Sequence, residues 1–387
     1  MAMHFEVVGG GPAGLYFAYL MKKSHPDHVV RVVEQNAANA TYGFGVVFSG
    51  RALGFLEEGD PAAIARLTRR MQTWSDQHIV HKGVRVVVDG SSYFAIERLA
   101  LLEELQNRCR EAGVQIEFGK RTESSAGARD CDVLVAADGA NSAVRDCHAV
   151  AFDTRVVELE NHFAWYGVEK PYDAHTLTFV QRSGLTFCAH HYRYTPAMST
   201  FVAEVDAATW QGSGMSSMTD DERKRLFEDT YRDTLGGRKL ISNRSIWRRW
   251  SLVTNGRWHY RNIVLIGDAQ RSAHPSIGSG TRLAMEDSIA LWRAFEAEGT
   301  DVQAAFERYE RERGPVRDKL NAAAEKSIAW YENVASRMAL SPYEFAYDYL
   351  LRTGLMTRER LERDSPRFMQ RYLENANLAV VPTLRQE

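Results

Sequence analysis

His4-Phe5-Glu6-Val7-Val8-Gly9-Gly10-Gly11-Pro12-Ala13-Gly14, with Glu34 about twenty residues further on, decides how this chain begins to fold. The run to Val8 reads as a short buried strand. From Ala13 to Lys23 apolar residues recur at helical spacing at Leu15, Ala18 and Tyr19, with Met21 or Lys22 at the rim, and Val29 to Val33 is a second β-branched run. The unit is therefore strand, helix, parallel strand. Gly9 permits the tight turn, Gly11 lets the backbone approach a pyrophosphate, and Gly14 lets the helix pack closely on the strand. Pro12 takes the first helical position, where its missing N–H loses nothing, and with Ala13 it opens a helix whose free amides favour an anion. Glu34, ending the second strand, is placed to hold a pair of ribose hydroxyls.

Two later stretches fit the same cradle. Val133-Leu134-Val135-Ala136-Ala137 reads as a strand buried on both faces, and it delivers Asp138-Gly139-Ala140-Asn141-Ser142-Ala143-Val144-Arg145 at its carboxyl end. Ile263-Val264-Leu265-Ile266 repeats the signature, followed by Gly267-Asp268 and then Gly278-Ser279-Gly280 at the head of a helix beginning near Thr281. Asp268 can accept a hydrogen bond from a sugar hydroxyl, such as one of a flavin's ribityl chain, or serve as a turn cap. The glycines offer amides to an anion, such as the N1 and C2 oxygen edge of a reduced flavin. In this order and spacing the three stretches point to FAD.

Composition sets the outer limits. At 387 residues, 44% hydrophobic and 25% charged, the chain can bury a large core, and a net charge of −2 gives no global field for nucleic acid or an anionic membrane. No segment approaches about eighteen continuous apolar residues, and the start lacks a secretory apolar core, so a cytoplasmic location is expected. Cys109, Cys131, Cys147 and Cys188 show no CxxC spacing, which suggests neither a metal site nor a disulfide framework.

The remaining pattern predicts an α/β chain with a discontinuous Rossmann-like FAD-binding domain (1–75, 96–158 and 251–300). A β-rich substrate domain (76–95 and 159–250) is inserted into it, and a C-terminal helical region covers 301–387. Arg85 to Val88 and Ser92 to Ala95 flank Asp89-Gly90 and predict a hairpin. Arg98 to Arg110 is helical, and Phe163 to Val205 holds short aromatic and β-branched strands. Glu307, Arg308, Glu310, Arg311, Glu312 and Arg313 read as a mixed-charge exposed face.

Over residues 4 to 330 these motifs resemble the group A flavin-dependent aromatic monooxygenases, the class of para-hydroxybenzoate hydroxylase. By that resemblance Gly9, Gly11, Gly14, Glu34, Arg98, Asp138, Gly139 and Asp268 would contact FAD or shape its loops, and the reduced nicotinamide, NADH or NADPH, would bind without a Rossmann domain of its own. The chain departs from the class at Gln270-Arg271, where Ala-His is usual, and at Arg282, where Asn is usual. Tyr42-Gly43-Phe44-Gly45-Val46-Val47-Phe48-Ser49 and the 274–287 stretch, His274-Pro275 through Glu286-Asp287, are similar to the salicylyl-CoA 5-hydroxylases and the monooxygenase half of 2-aminobenzoyl-CoA monooxygenase/reductase. The tryptophan hydroxylase of violacein biosynthesis shares a similar pattern. In this alignment of motifs Gly45 and Val46 fall at the cofactor and Val47 at the substrate.

The resemblance implies hydroxylation of an electron-rich ring through a C4a-hydroperoxyflavin, with O₂ as co-substrate. An aryl-CoA with an ortho hydroxyl or amino donor is favoured, hydroxylated at the 5 position. A free aromatic or indole is the alternative, with a flavin-dependent halogenase or a non-catalytic flavoprotein behind it; the Trp-x-Trp-x-Ile-Pro segment of the halogenases is absent. The length leaves out a reductase half, and a homodimer is compatible with the later helices. Trp165, Tyr166, Phe179, Phe187, Tyr192, Tyr194 and Phe201 are available as a water-excluding wall, with Tyr166, Tyr192 and Phe201 placed at the substrate. His190 and His191 must face opposite ways on a strand, and His190 is placed at the substrate. His274, beside Pro275 in the loop before the flavin-facing glycines, is the candidate catalytic residue. Arg238, Lys239, Arg244, Arg248, Arg249, Arg257 and Arg261 surround Trp247, Trp250 and Trp258 and suit the phosphates and adenine of coenzyme A.

Overall fold

The computed structural model describes the chain apart from residues 42, 123–129, 279 and 380–387. The expectations placed on Tyr42 and Ser279 lie outside the described residues.

Val133–Ala136 is buried at every position, as a strand covered on both faces must be, and it sits at the centre of a six-stranded sheet. His4–Val8 pairs parallel with it on one side and Ile263–Leu265 on the other. Val29–Glu34 and Gln115–Phe118 continue the parallel set, and His259–Tyr260 closes the far edge antiparallel. Parallel pairing puts all the carboxyl ends on one edge. Gly9, Glu34, Asp138 and Gly267, far apart in sequence, therefore meet there. The Pro12–Ser24 helix is buried continuously from Ala13 to Met21, more than the single stripe its spacing suggested. It is enclosed by the sheet and by the Arg98–Ala112 and Gly280–Glu298 helices.

A second sheet has the order Leu240–Ser242, Thr154–Val168, Ser199–Val205, Leu185–Arg193, His175–Arg182, Gln77–His81, Val84–Val88, with Arg248–Asn255 also paired on Thr154–Val168. Its pairings are antiparallel except His175–Arg182 with Gln77–His81. Side chains alternate between two apolar layers. Tyr166, Phe187, Ala189 and Phe201 enter a core with Trp210, Phe227, Tyr231 and Leu235 of the covering helices. Leu177, Phe179 and Cys188, on the other face, pack on Trp330, Tyr331, Phe345 and Tyr349 of the C-terminal helices.

The structure corrects two expectations of local structure. The strands flanking Asp89-Gly90 do not form a hairpin: Val84–Val88 pairs with Gln77–His81, whereas Tyr93–Glu97 joins Gly45–Ser49 and Gln72–Trp74 in a small separate sheet. The 76–95 segment is thus divided between two sheets, and the strands Thr154–Val168 and Arg248–Asn255 run across the expected boundaries near 158 and 250. Asp89 instead caps the last helix, accepting the amides of Phe368 at 2.8 Å and Arg367 at 3.3 Å, while its carbonyl accepts from the Ser365 hydroxyl. Gly90 has φ +74°, and a Cβ there would lie 1.6 Å from the Asp364 carbonyl oxygen.

Removing this buried cap should loosen the C-terminal helices. Asp89→Ala is expected to lower unfolding stability by about 1–3 kcal/mol, the range for losing the acceptor of buried donors. Urea unfolding measures it, and an unchanged midpoint would contradict the role.

Candidate active site

At the sheet's carboxyl edge the glycines divide into two kinds. A Cβ on Gly9, whose φ is +109°, would lie 2.3 Å from the Ala137 carbonyl oxygen, and one on Gly14 would lie 2.0 Å from the Gly9 oxygen. Both are closed by packing. A Cβ on Gly11 would meet nothing within 4 Å. That open side, beside the first helical residues Pro12 and Ala13, is where an anion can reach the helix N-terminus. Glu34 accepts the Gly10 amide at 2.6 Å and both the amide and side-chain nitrogen of Asn36 at 2.7 Å, so its carboxylate is fixed at the same edge.

Polar atoms left without protein partners mark the rest of the cradle. One Asp138 oxygen accepts the Val144 amide at 3.3 Å, whereas Oδ1 is buried with no partner among the described residues. Nε of Arg98, first residue of its helix, is likewise buried and unpaired. Burial lowers the Arg98 pKa, opposed by the charge of Asp268; burial raises that of Asp268, opposed by Arg317 and Arg98. Arg98 and Asp268 are therefore near enough for each charge to favour the other. Buried orphaned donors and acceptors of this kind call for a polar ligand, and the open Gly11 amide edge calls for an anionic one. The residues fit a dinucleotide with a sugar-alcohol chain. Gly139 and Gly278 lie on positive-φ turns of the cradle, Gly280 begins the Gly280–Glu298 helix, and Thr281 follows it.

The Gly267-Asp268 turn is held from behind. Asp287 is completely buried and accepts the Gly267 amide at 3.1 Å, Nε of Arg313 at 2.8 Å and an Nη of Arg317 at 2.5 Å. Arg313 also donates to Glu286 at 2.8 Å. The mixed-charge run is therefore not a wholly exposed face: Arg313 is buried in this clamp. Its neighbours Arg308 and Glu312 pair in the solvated manner expected.

The inner face of the large sheet is readable row by row. Trp165 stands opposite Val202, which stands opposite His190 and then Leu177; the next row is Phe163, Glu204, Cys188 and Phe179; the row on the other side carries Gly167, Thr200 and Tyr192. Trp250 packs on Phe163 and Trp165 with ring centres 5.3 and 6.1 Å away, and lies 6.1 Å from His274. His190 Nε2 is 3.1 Å from the Tyr331 hydroxyl. Thr200 accepts the Gly45 amide at 2.8 Å and Tyr192 donates to the Gly45 carbonyl at 2.9 Å. Gly45 thus spends its backbone on docking the small sheet rather than on a cofactor. Val46 packs toward the nucleotide-domain core and Val47 toward the Tyr192 cluster.

Tyr166 and Phe201, expected at the substrate, are on the opposite face. Tyr166 accepts the Trp247 indole N–H at 2.9 Å, and Phe201 packs on Tyr231 and His191. Their neighbours Trp165 and Val202 are on the inner face instead, because side chains alternate and only the register fixes which set faces inward. His191 bonds Thr178 at 2.9 Å on the Phe201 side, leaving His190 on the inner face. The basic stretch is also dispersed. Trp247 and Trp258 are buried in different cores, Lys239 pairs with Glu228, Arg249 pairs with Glu158, and Arg261 lies over Tyr260 at the edge of the six-stranded sheet. Arg248 alone lies over Phe163, at the outer end of the inner face.

Three histidines line this region in neutral form. Burial, with Arg352 nearby, lowers His175 and His274 each to about 4; burial, with His175 and Arg352, lowers His190 to about 3. His175 and His190 nevertheless keep some accessible surface. Glu204 is raised to about 7 by burial, against the bond it accepts from Asn161 at 2.9 Å. Arg352 and Tyr331, from the C-terminal helices, carry no motif that sequence reading could have caught. Among the described residues there is no cluster able to hold a metal ion and no helix long and apolar enough to cross a membrane.

Three outcomes follow from this geometry. Gly11→Trp should abolish retention of FAD on purification, and a stoichiometric yellow variant would contradict the placement. Asp268→Ala should weaken FAD binding by about 1–3 kcal/mol, measured by titration of the apoprotein. The histidines have folded pKa values below their unfolded 6.5, so their contribution is present above pH 6.5 and is lost as pH falls toward 4 and 3; Glu204, shifted the other way, opposes this with a single proton. Net stability should fall on acidification from pH 6.5 to 4.5, each histidine contributing up to about 1.4 kcal/mol per pH unit. Thermal melts across that range should show a shallower slope for His190→Gln than for the unaltered chain; equal slopes would remove His190 from the account.

Comparison with known proteins agrees with the geometry. Residues 3–324 match the FAD binding domain family. The chain is 35% identical to a salicyloyl-CoA 5-hydroxylase of a Streptomyces species, over 91% of this chain and 70% of that one. It is 32% identical to 3-hydroxy-4-methyl-anthranilyl-[aryl-carrier protein] 5-monooxygenase of Streptosporangium sibiricum, over 91% and 94% of the two chains. The fold superposes on the tetrameric form of 2-methyl-3-hydroxypyridine-5-carboxylic acid oxygenase with a TM-score of 0.72, at 19% identity, covering 94% of this chain and 96% of that one. The chain therefore belongs to the FAD binding domain family, as a flavin-dependent aromatic monooxygenase whose cofactor is FAD.

Proposed function

We propose that this enzyme hydroxylates an electron-rich aromatic ring presented as a thioester, salicylyl-CoA or 2-aminobenzoyl-CoA at the 5 position, with NADH or NADPH as reductant. The observation that carries the reading is the inner sheet face, where apolar side chains and the His190–Tyr331 pair share a surface that ends at a cation. On that face Val202 and Trp165 are apolar, and His190 with Tyr331 supplies neutral hydrogen-bonding groups. Beyond Phe163 the face ends at exposed Arg248. Both named relatives act on aryl groups joined to a carrier, coenzyme A in one and an aryl-carrier protein in the other.

FAD held in the cradle of Gly11, Asp138 and Asp268 would supply the oxygen-transfer chemistry. The protein's own part is to hold the ring and to keep water out. An ortho hydroxyl or amino group activates the ring position para to itself, offsetting the electron-withdrawing thioester carbonyl. A pocket that binds that group through neutral imidazole and phenol leaves its electrons available to the ring. Trp165, Phe163 and Trp250 pack together at one end of that face, and the Tyr331 helix covers Leu177 at the other. Arg248, always charged, suits a phosphate of the carrier.

The test compares salicylyl-CoA and 2-aminobenzoyl-CoA with salicylate, anthranilate and tryptophan, following substrate-stimulated nicotinamide oxidation and a gain of one oxygen by mass spectrometry. The thioesters are expected to be hydroxylated preferentially; equal use of the free acids or of tryptophan would replace this reading with a free-aromatic one. Arg248→Ala should raise the KM for the thioester about tenfold with little change in kcat, as loss of uniform binding does. Arg249→Ala, on the paired outer side, should not.

A further inference from the structure

A directed chain of hydrogen bonds links the last helices to His274. Arg352 Nε donates to the Ser327 hydroxyl at 3.1 Å, Ser327 donates to the Ser276 hydroxyl at 2.8 Å, and the Ser276 oxygen lies 2.8 Å from His274 Nδ1. Ser327 is completely buried, and Ser276 and His274 nearly so. The same guanidinium donates to the Ser276 carbonyl at 2.8 Å and to the Tyr349 carbonyl at 2.9 Å, and lies 3.8 Å from the Tyr349 ring centre. Its position is thus fixed by three elements of structure.

The direction of the chain follows from its first member. A guanidinium can only donate, so each serine receives one hydrogen and has its own left to pass on. The last falls on Nδ1. The Ser276 backbone amide, which also can only donate, points at the same nitrogen from 3.2 Å. Nδ1 is therefore an acceptor, and the neutral ring carries its hydrogen on Nε2. The titratable groups facing the imidazole are Arg352 from beyond the Pro342–Leu351 helix and His190 from the sheet; the first opposes a positive charge on the ring and the second is itself neutral. Trp250, packed beside it, does not titrate.

We propose that Arg352, acting through Ser327 and Ser276, is a positioning residue that holds neutral His274 as the Nε2–H tautomer, so that it donates a hydrogen bond to an acceptor oxygen of the bound aromatic substrate. His274 in this arrangement is a donor and not the base that removes a proton from the ring substituent. The functional half rests on the substrate reading above; the tautomer does not.

Histidine-selective ¹⁵N NMR of the FAD-loaded protein, with the His274 signals assigned by loss in His274→Gln, reads the tautomer at pH 7. The unaltered chain should show Nε2–H almost alone; Ser327→Ala, a small buried change compatible with folding, should give a mixture, and Arg352→Lys should keep more of the preference than Arg352→Met. A wild-type Nδ1–H ring, or an unchanged tautomer in Ser327→Ala, overturns the proposal. With salicylyl-CoA as probe, His274→Gln, which keeps a donor near the Nε2 position, should hold kcat within about threefold, whereas His274→Asn should lose about tenfold or more. Equal kcat values for the two variants overturn the donor role. Absence of any turnover of salicylyl-CoA by the unaltered enzyme would instead remove the substrate reading, and the donor role with it, leaving the tautomer to stand or fall on the NMR result.

Discussion

The fully buried carboxylate of Asp287 is the interaction on which the rest of the site depends. It receives the Gly267 amide together with Arg313 and Arg317, so one group positions the cofactor-side turn and anchors the long Val302–Glu332 helix. Removing one partner of a buried ion pair leaves an uncompensated charge and costs about 3–5 kcal/mol, which makes the arrangement intolerant of drift. Farther along, the same helix supplies Ser327 behind the His274 loop and Tyr331 beside His190. The turn at Asp268, the loop at His274 and the cover over the sheet face are therefore placed relative to one another by a single helix.

The cradle was legible because glycine, proline and strand-end acids act locally. Gly9 is required by its close approach to the Ala137 backbone and Gly14 by its approach to the Gly9 carbonyl, and Glu34 and Asp138 stand where parallel strands end. Such demands leave their mark in a few adjacent residues. The inner face of the large sheet was less legible. Trp165 and Tyr166, or Phe201 and Val202, are equally good strand residues, and which of each pair looks inward depends on helices that cover the outer face from elsewhere in the chain. His190 and Tyr192 look toward the inner face, whereas Tyr166 and Phe201 look into the core beneath the covering helices.

Long-range polar pairing was the least legible part. Arg313 sits in a run of alternating charges that would suit a solvated helix, yet it is buried because Asp287 and Glu286 lie opposite. Arg352 has no local signature, since its partners are some 76 and 25 residues away. The Asp89-Gly90 turn failed in the same way: its residues suit a hairpin, but the Asp89 acceptors are used by amides near the C-terminus.

The account's central claim is spatial: FAD lies along the sheet edge marked by Gly11, Asp138 and Asp268, and the aromatic ring lies between the Trp165–Val202–His190 row and the His274 loop. A crystal structure of the complex with FAD and salicylyl-CoA, prepared without oxygen or nicotinamide, tests it most directly. The account predicts the ring against Val202, its ortho substituent toward His190 or His274, and the coenzyme A phosphates near Arg248. A ring bound on the Tyr166–Phe201 side of the sheet, or away from the His274 loop, would contradict it.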